Sequence, residues 1–294
     1  MSKVAILADT NCGILHKEAQ ENEIYIIPMP FYINDELFYE DIDLTNEEFF
    51  KRQTTGAVIK TSMPLVGDVM DKWDELLKEY DEVVYIPMSS GLSSSCETAM
   101  MLANDEEYEG KVFVVNNQRI SVTQKLSVYE AKQLAENGKT GSEIKEYLED
   151  TKYDSNIYIM VDVLTYLKKG GRLTPAVATL GTLLHIKPIL QIRGEKLDSF
   201  AKARTLKQSK QIMLDAISKD MENRFHDPDG NECIISISHT NNQEEAEIFR
   251  QEALERFPNH KIIINPLALS ISCHIGPGAL AITTSKSFIK DICE

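Results

Sequence analysis

Short apolar runs rich in β-branched residues recur along the chain at 4–8, 24–33, 83–88, 112–115, 157–161, 186–192, 233–238, 261–267 and 279–283. Between several of them the apolar residues switch to helical spacing, and that alternation favours an α/β architecture. The clearest helix follows Pro64. There Val66, Val69, Met70, Trp73, Leu76, Leu77 and Tyr80 form one apolar stripe, while Asp68, Asp71, Lys72, Asp74, Glu75 and Lys78 mostly fill the other face. Such a segment packs on a sheet along one side. Further helices are expected over 123–137, 142–150, 205–224 and 242–256, the second of them starting at Gly141-Ser142 with an incomplete capping pattern from Ser142 to Lys145. A chain of 294 residues suggests two domains at roughly 150 residues each. The glycine-rich break at Lys168-Lys169-Gly170-Gly171-Arg172 lies near their junction, and we take 1–160 and 161–294 as the two units.

Charge narrows the partners. With 46 acidic side chains against 31 Lys and Arg the formal net charge is −15, a field that repels nucleic-acid backbones and anionic headgroups. Nucleic acid is therefore not expected as a partner, and membrane contact is at most transient. An anion can still bind at a local site built for it. Apolar residues at 43% and charged residues at 26% suit an ordinary globular core. Lys3 is followed by only the run Val4–Ala8 before Asp9, which does not resemble a secretion signal. No apolar stretch approaches the roughly 20 residues of a membrane span, so a cytoplasmic location is expected. Cys12, Cys96, Cys233, Cys273 and Cys293 are scattered and odd in number, which points to reduced thiols and to no metal site.

Several loops carry chemistry. Ser89-Ser90-Gly91-Leu92-Ser93-Ser94-Ser95-Cys96-Glu97 joins a buried-looking strand to a helix, and Ser94 with Glu97 matches a capping box. Free N–H groups at that helix start favour an anion, Gly91 allows close approach, and Ser93 offers a hydroxyl. A serine-rich turn that only caps its helix fits the same spacing. A serine hydrolase fits it less well, because the G-x-S-x-G arrangement is missing. In Lys60-Thr61-Ser62-Met63-Pro64, Ser62 or Met63 is expected to cap the next helix with Pro64 in its first turn, leaving Thr61 to face a ligand or simply to occupy a loop.

His274 stands at the entrance of a turn tightened by Gly276-Pro277-Gly278, where an imidazole could serve a carboxylate or only the structure. Arg172 follows two glycines and suits a carboxylate, a phosphate or a partner surface, or else solvent alone. The acidic stretch Tyr39–Glu48 lacks EF-hand spacing and contains a capping box from Thr45 to Glu48, so it is expected to be a solvated loop leading into a helix.

Taken in order, Asp9-Thr10-Asn11-Cys12, Thr61-Ser62-Met63-Pro64, Ser90-Gly91-Leu92-Ser93, Gly170-Gly171-Arg172-Leu173 and His274-Ile275-Gly276-Pro277-Gly278 resemble the DegV family over essentially the whole chain. The resemblance implies a two-domain α/β fold, an N-terminal mostly parallel sheet with flanking helices followed by a second α/β unit, and a ligand tunnel near their junction. It implies that the chain is a fatty-acid-binding subunit of a bacterial fatty acid kinase system, not an enzyme itself. Its partners would be a long-chain fatty acid and the kinase catalytic subunit that makes the acyl phosphate, with no cofactor on this chain. Thr61 and Ser93 would then hold the carboxylate and His274 would join their network. Ser62, Ser94, Gly91 and Gly276 would complete the binding segments, and Arg172 would dock the kinase.

Two stretches depart from the family pattern. Asn116-Asn117 replaces the usual aspartate and serine, and Ser94-Ser95 follows Ser93 where many relatives have glycine and threonine. Energetically the assignment is sound: burying about 15 methylenes at roughly 0.8 kcal/mol each sets a ceiling near 12 kcal/mol before binding costs. The carboxylate must meet partners inside, because an unpaired buried charge is far too costly. The alternatives are a hydrolase or phosphotransferase using Ser93, His274 and Asp9, and a sensor for another amphipathic acid such as an isoprenoid.

Overall fold

The computed structural model describes residues 2–172, 186–194 and 196–289; Leu173 and Cys293 lie outside them. The first half runs β1 (Val4–Asp9), α1 (His16–Glu21), β2 (Tyr25–Ile27), β3 (Pro30–Ile33), β4 (Glu36–Tyr39), α2 (Asn46–Thr54), β5 (Ile59–Thr61), α3 (Val66–Leu76), β6 (Glu82–Ile86), α4 (Ser95–Ala103), β7 (Val112–Val114), α5 (Val122–Glu136) and α6 (Gly141–Asp150). It continues with β8 (Ser155–Met160), α7 (Leu164–Gly170), β9 (Lys187–Ile192), β10 (Leu197–Ala203), α8 (Leu206–Asn223), β11 (Cys233–His239), α9 (Gln243–Arg256), β12 (Ile262–Pro266), α10 (Leu269–Ile275) and β13 (Leu280–Lys286).

Strand β1 reads as an unbroken apolar run because both of its faces are covered. Ile6 and Ala8 meet Val122 and Leu126 of α5 and Ile144 and Leu148 of α6, whereas Ala5 and Leu7 meet Val69, Trp73 and Leu76 of α3 and Ala99 of α4. The parallel sheet is ordered β2-β1-β6-β7. Since β1 and β6 are neighbours in space but not in sequence, a crevice opens beyond their C-terminal ends, the usual ligand position in such sheets.

The second sheet, β10-β9-β8-β13-β11-β12, is mixed: β11 and β12 are parallel and the other pairs antiparallel. One face buries Met160, Ile189, Ile237 and Ile282 against Met213 and Ile217 of α8 and Phe249 of α9. The other turns Ile157, Ile159, Leu190 and Ala281 toward Met29, Met88 and Ile120 from the first sheet's loops. This parallel sheet with a mixed second sheet is the α/β fold expected. Strand β8, which a 1–160 division leaves with the N-terminal half, is hydrogen-bonded into the second sheet between β13 and β9.

A small antiparallel sheet, β4-β3-β5, packs with α2 on α10 through Phe31, Phe49, Leu269 and Cys273. It is the largest departure from the sequence reading. The run 24–33 splits at Pro28 and Pro30, whose nitrogens cannot donate to a ladder, so β2 and β3 enter different sheets. The Thr45–Glu48 capping box forms as expected. Three other cap assignments are corrected. Ser94 has helical dihedrals (φ −72°, ψ −5°) and no cap bond; N-caps favour extended backbone, and its hydroxyl turns to Met63 Sδ at 3.7 Å. Neither Ser62 nor Met63 caps α3: the Ser62 N–H donates to Pro30 O at 3.2 Å, which keeps the chain extended, and the cap position falls on Leu65, beyond Pro64. Helix α6 is capped by Thr140 in a box with Glu143, two residues earlier than the pattern from Ser142. The acidic stretch is also not wholly solvated, because Glu40 is buried and accepts from Leu269 N at 2.8 Å.

Candidate functional site

The crevice beyond β1 and β6 is closed by the inner face of the second sheet into a cavity of about 380 Å3, inside the range of small-molecule sites. Each strand of the parallel sheet that points at it ends in a loop that lines it: Asn11 after β1, Met88 and Leu92 after β6, Ile120 after β7. Ile157, Ile159, Ile192 and Ala281 supply the opposite wall, and Leu267, Ile271 and Ile275 the flank from β12 and α10. Most of this lining belongs to one buried apolar cluster, so the cavity is a gap in a core rather than a surface dent.

Six of the sequence-derived residues meet at this cavity: Thr61, Ser62, Ser93, Ser94, Arg172 and His274. Thr61 ends β5, whose register with Phe31 fixes its direction, and His274 lies in the last turn of α10 rather than in a turn of its own. Their side chains meet directly, with Thr61 Oγ1 and His274 Nε2 at 2.8 Å. Burial, with the Arg172 charge as a second cause, pushes the His274 imidazole down to about 4, so the pair is neutral at pH 7. Ser93 Oγ accepts from Ser95 N at 3.2 Å, at the start of α4. Arg172 donates through Nη1 to Gly170 O and through Nε to Leu92 O at 3.4 Å, and so joins the end of α7 to the serine loop while staying exposed.

Gly91 and Gly276 do not line the cavity. Gly276 instead ends α10 with φ +76°, and a Cβ there would strike the Tyr166 ring at 2.3 Å, so its role is to let the helix stop against α7. Two positioning residues escaped the sequence reading. A Cβ on Gly170 would lie 2.2 Å from His274 Nδ1, so this glycine is the seat of the imidazole. Buried Thr240 grips the 276–278 turn: its hydroxyl donates to Gly276 O at 2.6 Å and accepts from Ala279 N at 2.9 Å, and its carbonyl accepts from Gly278 N at 2.8 Å.

The Asn116-Asn117 departure is absorbed by a different network. Asn117 Nδ2 and Arg119 Nη1 both donate to Ser127 Oγ at 2.9 Å, and buried Arg119 lies 3.7 Å from buried Glu130. The loop so held presents Ile120 and Ser121 to the cavity and accepts Ser89 N on Arg119 O at 2.9 Å.

A nucleophilic relay is not assembled. His274 Nε2 is engaged by Thr61, Ser93 Oγ by Ser95 N, and the buried Asp9 carboxylate by Met88 N at 2.8 Å, Asn11 N at 3.0 Å, Asn11 Nδ2 at 2.9 Å and Gln124 Nε2 at 3.2 Å. Asp9 brackets the loops after β1 and β6 to helix α5 and does not orient the histidine. Among the described residues no group of three or more His, Cys, Asp and Glu side chains gathers as a metal site.

Fold and site together define an α/β protein that encloses a largely apolar cavity between a parallel and a mixed sheet. The family model described as "Uncharacterised protein, DegV family" matches residues 3–287, and the chain belongs to that family. Protein DegV of Bacillus subtilis (strain 168) is 29% identical over 283 residues, spanning 95% of this chain and 98% of the relative. Among solved structures, a DegV family protein from Thermus thermophilus described by its fatty acid binding superposes with TM-score 0.87 at 26% identity, covering 97% of this chain and all of the other. DegV from Bacillus subtilis, described as a fatty acid binding protein, superposes with TM-score 0.86 at 27% identity, covering 98% of this chain and all of the other.

Proposed function

We propose that the chain binds a long-chain fatty acid, buries its tail in the cavity and presents the carboxylate to a separate fatty acid kinase catalytic subunit, which converts it to the acyl phosphate. The observation that carries this reading is an apolar cavity with the hydrogen-bonded Thr61–His274 pair on its wall and exposed Ser62, Ser94 and Arg172 beside it. Relatives described as fatty acid binding support it.

A tail in this cavity gains about 0.8 kcal/mol per buried methylene, less the cost of immobilisation. The head group stays at the polar end, where the Thr61 and Ser93 hydroxyls, the first N–H groups of α4 and the His274 imidazole provide partners. Neutral His274 adds no fixed charge of its own, so the carboxylate is held by hydrogen bonds and left reactive toward a phosphoryl donor. Arg172, exposed at the same end, is the docking contact for the kinase. Phosphoryl transfer and its MgATP belong to that partner, and this chain acts in the cytoplasm without a cofactor or turnover. Among the described residues no helix is long and apolar enough to cross a membrane.

The test is direct. Organic extraction of protein purified from cells should release a fatty acid identifiable by mass spectrometry, and oleate or palmitate added to delipidated protein should raise its melting temperature. Release of no fatty acid together with no thermal shift would sink the reading. Arg172→Ala should impair kinase-coupled phosphorylation more than lipid binding; equal loss of both would remove the docking role.

A further inference from the structure

The cavity carries a second polar group, buried where the first is open. Asn11, Ser121, Ser238, Ser270 and Thr283 all line it, and none is more than 7% exposed. They come from five separate segments, and this polar arc falls into two parts, one joined by hydrogen bonds and one set by strand register. Ser270 Oγ donates to Asn11 Oδ1 at 2.7 Å and Ser121 N donates to Asn11 O at 3.0 Å. Ser238 of β11 and Thr283 of β13 lie on one face of adjacent strands, offset by two residues in the register that pairs Ser238 with Ala281.

Two hydroxyls of this arc stand out. Ser238 Oγ is buried with no hydrogen-bond partner. Ser121 stands at the cap position of α5 but makes no cap bond, and its backbone (φ +58°, ψ −141°) is in a conformation that L residues rarely adopt. A buried hydroxyl without a partner is costly and uncommon, and a purely hydrocarbon tail lying against Ser238 would leave it unsatisfied.

We propose that this arc is a subsite for an oxygen function on the ligand's chain, so that the preferred ligand class is a long-chain fatty acid carrying a hydroxyl or keto group away from its carboxyl end. The proposal rests on the fatty-acid reading and specifies the chemistry of the tail. A chain hydroxyl can donate to Ser238 Oγ or accept from it, and a keto oxygen can accept from it, so either satisfies that buried group. In a wholly apolar tunnel the same hydroxyl would be penalised at every position.

Delipidated protein titrated with stearate and with a series of monohydroxystearates, the hydroxyl stepped along the chain, separates the two cases. The expected result is one stretch of positions bound at least threefold more tightly than stearate. In Ser238→Ala and in Ser121→Ala that preference should fall to parity or below, while each variant keeps a cooperative thermal transition. Stearate bound more tightly than every hydroxy acid would overturn the subsite and leave the fatty-acid reading standing, as would a preference that survives in both variants. Binding of neither acid class would overturn the fatty-acid reading itself.

Discussion

Thr61 and His274 lie far apart in sequence and 2.8 Å apart in the fold, and the smallest residue nearby decides whether they meet. Gly170 leaves the space that His274 Nδ1 occupies, so Gly170→Ala should displace the ring and weaken fatty acid binding much as Thr61→Val does. Loss of a hydrogen bond to a charged head group costs about 1.5–3 kcal/mol, which is roughly 10- to 100-fold in affinity; isothermal titration with oleate checks both variants, and unchanged affinity in Thr61→Val would remove that residue from the head-group site. The imidazole offers a second readout. Burial and the Arg172 charge both lower its pKa, so Arg172→Met should raise it, as followed by the His274 ring signals in an NMR titration. The sign for stability follows: the folded state resists protonation, so this histidine's contribution is complete above the ordinary value of about 6.5 and is lost as pH falls toward 4. At this scale the sequence showed which residue types carry chemistry, because Thr61, Ser93 and His274 sit in recognisable segments. It could not show that Gly170 seats an imidazole from a distant helix, or that Gly276 serves packing against Tyr166, since both depend on contacts that no local pattern encodes.

Long elements were legible and short ones were not. The helix after Pro64 and the strands of the parallel sheet announce themselves because a covered strand must be apolar on both faces and an amphipathic helix on one. Strand β10 reads Leu-Asp-Ser-Phe-Ala-Lys-Ala, without β-branched residues, and β4 and β5 span four and three residues; such pieces become strands only because a neighbour pairs with them. Their small sheet matters to the site, since β5 carries Thr61 and the loop after β4 carries Glu40. Buried Glu40 accepts Leu269 N at the start of α10, the helix that ends in His274. Burial raises its carboxyl to about 8, so it is protonated at neutral pH. A raised acid pKa makes stability fall as pH climbs from about 4.5 through the folded value. Glu40→Gln keeps the acceptor and removes the titration, so the decline in melting temperature between pH 6 and 9 should be shallower than in the wild type. An identical pH profile in the variant would show that Glu40 does not titrate across this interval.

At the scale of the molecule, the cavity was the feature least available to sequence reading. Its walls come from loops of one sheet, strands of another and both short helices α7 and α10, and Ser238 and Thr283 inside it look, strand by strand, like ordinary polar alternation. Net charge, by contrast, was plain from the start, and it bears on how such a cavity could be filled. A chain of formal charge −15 is repelled as a whole by an anionic bilayer, while exposed Lys60 and Arg172 flank or line the polar end of the cavity. The repulsion acts over the Debye length, about 30 Å at 0.01 M salt and 3 Å at 1 M, whereas a seated head-group contact acts at hydrogen-bond distance. Co-sedimentation with vesicles should therefore retain less protein on anionic than on zwitterionic lipid at 0.01 M salt, and the difference should vanish at 1 M. If anionic vesicles instead retained more protein at low salt, the local basic groups would outweigh the global field, and the membrane would be a docking partner rather than a surface the protein only visits.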